Sequence, residues 1–281
     1  MLFARESAIP LAHLRCRLVD PLQCRVLEDL PAPRITLDIV GLSRSGVDGR
    51  GVLELLCRQE ATPMDTIRKA DSRRGRIAYE VAGLAWLAEA SDPGAPVVPI
   101  LGHGATWLEE PRLVSVSPTP RAAEEFGRAL AHTHAAGASH LGAPPPGFEG
   151  DGWMGEAHLS LPGQPSPAPA SSRGDSWGAF YARERIAPYL DDRIFTAAER
   201  TLIDKLCERL ESGALDHGQP RLVEDAKYRH NSIGAARTHG DLWSGNVMWT
   251  PGGAVLIDPA AQGGHAEEDL AALAVFGCPH Y

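Results

Sequence analysis

The chain has 281 residues, 43% hydrophobic and 22% charged, enough for one or two domains with an ample core. A formal net charge of -9 and the lack of a long basic run argue against nucleic acid as the main ligand. Five cysteines at spacings that match no zinc pattern, an N-terminus without a signal-peptide core and no run of about 18 apolar residues point to a reduced, cytoplasmic monomer that does not span a membrane.

Residues 1–30 give no clear element. "ITLDIVGLSRSGVDGRGVLELLCRQE" reads as strand, glycine-rich turn and strand, because Ile35, Leu37 and Ile39 alternate and Val52 to Cys57 form an apolar run. "MDTIRKA" gives a third strand. In "RIAYEVAGLAWLAEA", Ile77, Val81, Leu84 and Ala88 share one helical face, and "SDPGAP" ends the helix. "RLVSVS" reads as a strand closed by "PTP". "AAEEFGRALAHTHAAG" is helical with Gly137 past its end, and His132 and His134 read as ordinary surface or interlobe residues. "LGAPPPGFEGDGWMG" and "LPGQPSPAPASSRGD" read as loops, and "SWGAFYARERIAPYL" as a helix to Pro188. "TAAERTLIDKLCERLESG" opens on a capping box, Thr196 with Glu199, and stops at Gly213. A strand-rich part followed by a helical part is an α+β pattern in two lobes. The division is set at Ser117, giving residues 1–117 and 118–281.

The chemistry concentrates in "THGDLWSGNVMWTPGGAVLIDPA". "NVMW" and "AVLI" read as two strands joined by the turn "TPGG". With the turn centred on Gly252, Asn246 and Asp258 sit opposite one another, and opposed side chains share a face. An amide oxygen beside a carboxylate suits Mg²⁺, which takes few protein oxygens and fills its sphere from waters and phosphates. Asp241 lies on the loop into the hairpin, where it could accept a hydroxyl proton. Proton acceptor and metal ligands together are what phosphoryl transfer requires.

The pattern H-G-D-x-x-x-x-N, made by His239, Gly240, Asp241 and Asn246, resembles the catalytic loop of protein kinases. Asp258 in "IDPA" takes the place of their D-F-G aspartate. "HGDLWSGNV", "LIDPA" and "GGHAEEDLAAL" look like the fructosamine kinase (ketosamine 3-kinase) family, part of the aminoglycoside phosphotransferase-like group with a protein-kinase-like fold. The resemblance covers residues 79–277 well and the first lobe poorly. It implies ATP-dependent phosphorylation of a sugar hydroxyl on a ketosamine, with a sugar-amine or glycated amine as substrate.

It further implies a lysine that holds ATP phosphates, Lys69, paired with Glu80 on the next helix. Arg68 and Arg73 are rivals for that role. "RLVSVS" would connect the lobes and bring Val116 to the nucleotide. The glycines of residues 41–51 are candidates to cover ATP, although Val47 and Asp48 rule out a Walker A loop. Trp243 and His265 are candidate substrate contacts, His239 reads as structural, and Asp269 as a brace for the catalytic loop. Family members continue for several tens of residues past the point matching Tyr281, so the chain reads as truncated or shortened. Other readings stand beside this one: an aminoglycoside- or choline-type phosphotransferase, a non-catalytic kinase-like binding protein, and a hydrolytic metal site of His239, Asp241, Asp258 and His265. The last lacks helical H-x-x-x-H spacing.

Overall fold

The computed structural model describes the backbone of strands at 17–20, 23–25, 37–45 and 52–59, and residues 65–163, 176–191 and 193–280. Contacts divide the chain into two units, Met1–Pro63 and Met64–Tyr281, a division that falls well before Ser117. In the first unit, β1 (Arg17–Asp20) pairs antiparallel with β2 (Gln23–Arg25), and β3 (Leu37–Ser45) with β4 (Val52–Gln59). The strand–turn–strand expectation is therefore met in the backbone. The turn itself, with most of the glycines expected to cover ATP, lies outside the described residues.

The second unit is a mixed α/β body. β5 (Thr66–Ala70), β6 (Gly102–His103) and β7 (Trp107–Pro111) form an antiparallel sheet in the order β5-β7-β6. "RLVSVS" is not a strand. Residues 107–111 take the place beside β5, the alternating valines join no ladder, and Val114 and Val116 stay exposed. In β7 itself, Leu108 and Glu110 point to the buried face.

α1 (Arg76–Ala88) packs on more than its predicted face. Ile77 and Leu84 meet Leu108 and Val98 from the sheet side. Trp86 and Leu87 pack with Ala138, Ala235 and Ala261, whereas Ala88 is exposed. A helix wedged between two layers buries two stripes, which a single-face pattern under-reads. α2 (Pro120–Ala135) starts at Thr119, whose side chain accepts the Ala122 N–H, and ends before Gly137 at φ 76. The first segment read as a loop ends in a short strand, β8 (Gly152–Met154), which pairs with β9 (Ala157–Leu159) just past it.

α3 (Trp177–Tyr181) continues through a π turn, Ala182–Ile186, and a 3-10 turn, Ala187–Tyr189. α4 (Ala197–Glu211) carries the Thr196–Glu199 capping box as expected. After α5 (Arg221–Arg229), β10 (Ala236–Thr238) pairs with β13 (Gln262–Gly264) around the hairpin of β11 (Val247–Thr250) and β12 (Gly253–Leu256); α6 (Ala266–Phe276) follows. Phe126 and Leu130 of α2, Trp249 and Leu256 of the hairpin, and Leu273 of α6 form one core, which fixes the hairpin between two helices. No described helix is long and apolar enough to cross a membrane.

Candidate active site

The hairpin forms with a register one position away from the expectation. Val247 faces Leu256 and Thr250 faces Gly253, so the turn centres on Pro251 and Gly252. Asn246 is therefore opposite Ile257, whose N–H donates to the Asn246 carbonyl at 3.1 Å. Asp258 leaves the ladder with φ 53, a left-handed conformation that aspartate tolerates better than most residues. The Asn246 side chain still ties the parts together: its Nδ2 donates to the Asp241 carbonyl at 2.8 Å, to Asp241 Oδ2 at 3.2 Å and to the Asp258 carbonyl at 3.4 Å. With Nδ2 so committed, Asn246 Oδ1 is the atom left to act as a ligand.

The loop before the hairpin is held from below. Gly240 has φ 82, and a Cβ there would lie 2.0 Å from the Ala260 carbonyl oxygen, so only glycine fits. Buried Asp269 accepts the N–H of His239 at 2.8 Å and of Gly240 at 2.9 Å, and bonds His134 Nε2 at 2.9 Å. Burial works against the Asp269 carboxylate, but the His134 bond and these amides outweigh it and hold its pKa below the usual carboxylate range. His239 is fully buried. Its Nε2 donates to the Ile257 carbonyl at 2.9 Å, which leaves Nδ1 to accept the Asp241 N–H at 3.3 Å. Burial lowers its pKa, and the imidazole is neutral. His134, read from sequence as an ordinary surface or interlobe residue, is buried beneath this loop.

Lys69 on β5 faces three carboxylates. Its Nζ lies 2.8 Å from Glu80 Oε1 and 2.9 Å from Glu110 Oε2, and it bonds Asp258 Oδ1. Burial disfavours the ammonium, but Glu80 and Asp258 outweigh it and raise its pKa. Burial also raises the pKa values of Glu80 and Glu110, which Lys69 offsets only in part. One cation among three acids leaves a surplus of negative charge that favours a further cation. α1 sets this geometry, because the Tyr79 hydroxyl, next to Glu80, donates to the Ala261 carbonyl at 3.0 Å.

Lys69, Glu80, Asp241, Trp243, Asn246 and Asp258 all line one cleft of ≈ 380 Å³. The Asp258 side chain is 46% exposed there, and burial raises the Asp241 pKa against the pull of His239 and Asn246. A hard amide oxygen, an accessible carboxylate and excess negative charge fit Mg²⁺. The rivals of Lys69 are otherwise engaged: Arg68 stacks 3.9 Å over the Trp107 ring, and Arg73 pairs with Asp71 at 2.6 Å and with Glu156 at 2.5 Å.

Two expected residues are elsewhere. Val116 does not line the cleft, and its N–H donates to the Trp249 carbonyl at 2.8 Å. His265 is buried at the start of α6, where its ring accepts the Glu267 N–H. Glu110 escaped the sequence reading. The only signal was its place in "TWLEEP", an alternating stretch with a charge on the buried phase.

A model of the fructosamine kinase family matches residues 69–279. Mouse ketosamine-3-kinase is 38% identical over 102 residues, 36% of this chain and 29% of that protein. The chloroplastic protein-ribulosamine 3-kinase of Arabidopsis thaliana is 29% identical over 155 residues, 52% of this chain and 38% of that protein. The match thus spans about a third of the length of these curated relatives. Among solved structures, a candidate fructosamine-3-kinase from Thermobifida fusca superposes with a TM-score of 0.62 at 32% identity, covering 88% of this chain and 76% of that one. A second candidate, from Haemophilus somnus, shares the fold at 18% identity and a TM-score of 0.54, covering 88% and 75%.

Proposed function

Because this chain belongs to the fructosamine kinase family, we propose that it transfers a phosphoryl group from ATP to a sugar hydroxyl of a ketosamine, a glycated amine. The observation that carries this reading is the convergence of Asp241, Asn246, Asp258 and the Lys69–Glu80 pair on one cleft.

Asp241 accepts or orients the proton of the substrate hydroxyl. Its raised pKa suits a base that must take up a proton and later release it. Asn246, by donating to the Asp241 backbone carbonyl and to one carboxylate oxygen, Oδ2, fixes that side chain in place. Lys69 holds the phosphates, and Glu80 fixes the ammonium in a 2.8 Å pair. Asn246 Oδ1 and the Asp258 carboxylate would hold Mg²⁺, which when bound neutralises phosphate charge. Trp243 offers an aromatic face to the sugar or amine.

In this reading the β5-β7-β6 sheet with α1 serves as the working part of the small lobe and the later helices as the large lobe. "RLVSVS" acts as an extended connection. The free thiols Cys207 and Cys278 fit a reduced compartment such as the cytoplasm.

The test is ADP release by a coupled assay with Mg²⁺-ATP and a panel of ketosamines, aminoglycosides and choline. Release that depends on the ketosamine, with a phosphorylated sugar-amine recovered, is the expected result. Release with another acceptor class reassigns the substrate. Tight ATP binding with no release in any mixture would make the chain a binding protein.

A further inference from the structure

We propose that His217, His265 and Glu267 form a binding site for a divalent transition metal, Zn²⁺ by its chemistry, separate from the ATP cleft. One ligand atom from each residue lies within 4.8 Å of the other two, and this is the only such His, Cys or acidic group among the described residues. None of the three lines the cleft. His217 comes from the connection between α4 and α5, whereas His265 and Glu267 open α6, so the site joins segments about fifty residues apart.

The outer contacts select the ligand atoms. His217 Nδ1 and His265 Nε2 both lie 3.2 Å from the Gly218 carbonyl oxygen. A carbonyl only accepts, so both nitrogens carry protons and the lone pairs sit on His217 Nε2 and His265 Nδ1. A backbone carbonyl that fixes the tautomer of a ligating imidazole is the usual outer support of a zinc site. His217 Nε2 lies 3.4 Å from Glu267 Oε2. That is close to the separation of about 3.4 Å that two ligands 2.0–2.1 Å from a tetrahedral zinc must have. His265 Nδ1 accepts the Glu267 N–H at a long 3.3 Å, a helix-cap contact weak enough for a metal to replace. The other half of the cap, the His265 N–H to Glu268 Oε1 at 2.8 Å, is independent of the ring and remains.

Two imidazoles and one carboxylate form the borderline donor set that favours Zn²⁺ over Mg²⁺, with water completing the sphere. His217 and Glu267 are about half exposed, so an ion can enter. The role follows from position. α6 also carries Asp269, which holds the His239–Gly240 backbone. A metal here pins the start of that helix to the α4–α5 connection and stabilises the support of the catalytic loop.

The test uses the full chain stripped with a chelator, then titrated with Zn²⁺ against a chromophoric competitor in excess Mg²⁺, with Co²⁺ as a spectroscopic probe. Expected are one Zn²⁺ per chain, tetrahedral Co²⁺ absorption and a rise in Tm. His217→Ala and Glu267→Gln should each weaken Zn²⁺ by more than the 10–100-fold typical of losing an outer partner. Each should also lose the Co²⁺ bands, with Mg²⁺-ATP turnover unchanged. No stoichiometric binding by the wild-type chain overturns the proposal. So does unchanged affinity in either variant, which would place the ion elsewhere.

Discussion

Asp269 accepts the His239 backbone N–H at 2.8 Å, so a carboxylate on α6 sets the path of a loop thirty residues earlier. The same carboxylate takes the Gly240 N–H and His134. The loop is held by one buried charge, without strand pairing of its own, and stability should therefore depend on the protonation of this cluster.

Two groups give the contribution of this cluster its sign. His239 has a folded pKa below its ordinary value of about 6.5, and Asp269 one below about 3.9. In each case the unfolded chain binds the proton first as pH falls. The stabilisation is complete above the unfolded pKa and is lost as pH falls through the folded one. Denaturation midpoints should drop as pH is lowered from about 6.5, with a further loss from Asp269 below about 3.9. His239→Gln, which keeps a donor for the Ile257 carbonyl, should flatten the first part of the slope. Asp269→Asn should cost about 1.5–3 kcal/mol at neutral pH. A His239→Gln slope equal to the wild-type slope would sink the assignment to His239.

Lys69 among its three carboxylates predicts a rescue. Lys69→Met leaves Glu80 and Glu110 as buried acids without a cation, and breaking such a cluster costs up to about 3–5 kcal/mol. Glu110 Oε1 is buried with no hydrogen-bond partner, so Glu110→Gln in the Lys69→Met background removes one uncompensated charge. The double variant should be more stable than Lys69→Met alone by urea denaturation, although ATP binding stays weak. Strict additivity of the two substitutions would mean that Lys69 and Glu110 are not coupled.

The elements legible in the sequence were those whose signal is local. The Thr196–Glu199 box, the "TPGG" hairpin and the α1 pattern each name their own structure. "RLVSVS" misled because alternation reports suitability for a strand, whereas the partner is decided by distant β5. β10 and β13, three residues each, have too little periodicity to read, yet they bring Asp269 under His239. That Asp241, Asn246 and Asp258 lie close together was legible because a short loop and one hairpin link them. Glu110 and His134 were not, since a charged residue on a buried phase looks like an exposed one until the packing is known. The one-position shift comes from a turn centred on Pro251 and Gly252, and Asp258 then leaves the ladder at φ 53, which no strand pattern announces.

Trp243 and Gly245 form a pair that tests the substrate side. A Cβ on Gly245 would lie 2.2 Å from the Trp243 ring, so Gly245→Ala must displace the indole. If the ring stacks on the sugar-amine, Trp243→Ala and Gly245→Ala should both raise KM for that substrate by about 2- to 10-fold, the worth of a partly exposed cation–π or stacking contact. KM for ATP should hold. Equal rises for both substrates would indicate a deformed loop in place of a lost contact.

Asp241 and Asp258 line the same cleft but should fail in different ways. Asp258 has an accessible carboxylate beside Lys69 and is the residue assigned to Mg²⁺. Mg²⁺-ATP at 100 times its Kd should stabilise the wild-type chain by about 2.7 kcal/mol, and Asp258→Asn should remove most of this while also lowering turnover. Asp241 accepts from Asn246 and carries a pKa raised first by burial and then by Asp258. Asp241→Asn keeps the shape and removes the base. It should lower kcat by about 10²- to 10⁴-fold and leave the ATP-induced rise in Tm nearly intact. The raised pKa adds a second signature: in the wild-type enzyme kcat should fall with acid at a pH above the ordinary carboxylate value of about 3.9, because the protonated group cannot accept the substrate proton. Asp241→Asn should show no such acid limb. Calorimetry of ATP binding and a pH series of phosphoryl transfer on each variant separate the two roles. An Asp241→Asn enzyme with near-normal turnover, or one whose only defect is lost ATP binding, would rule out the base.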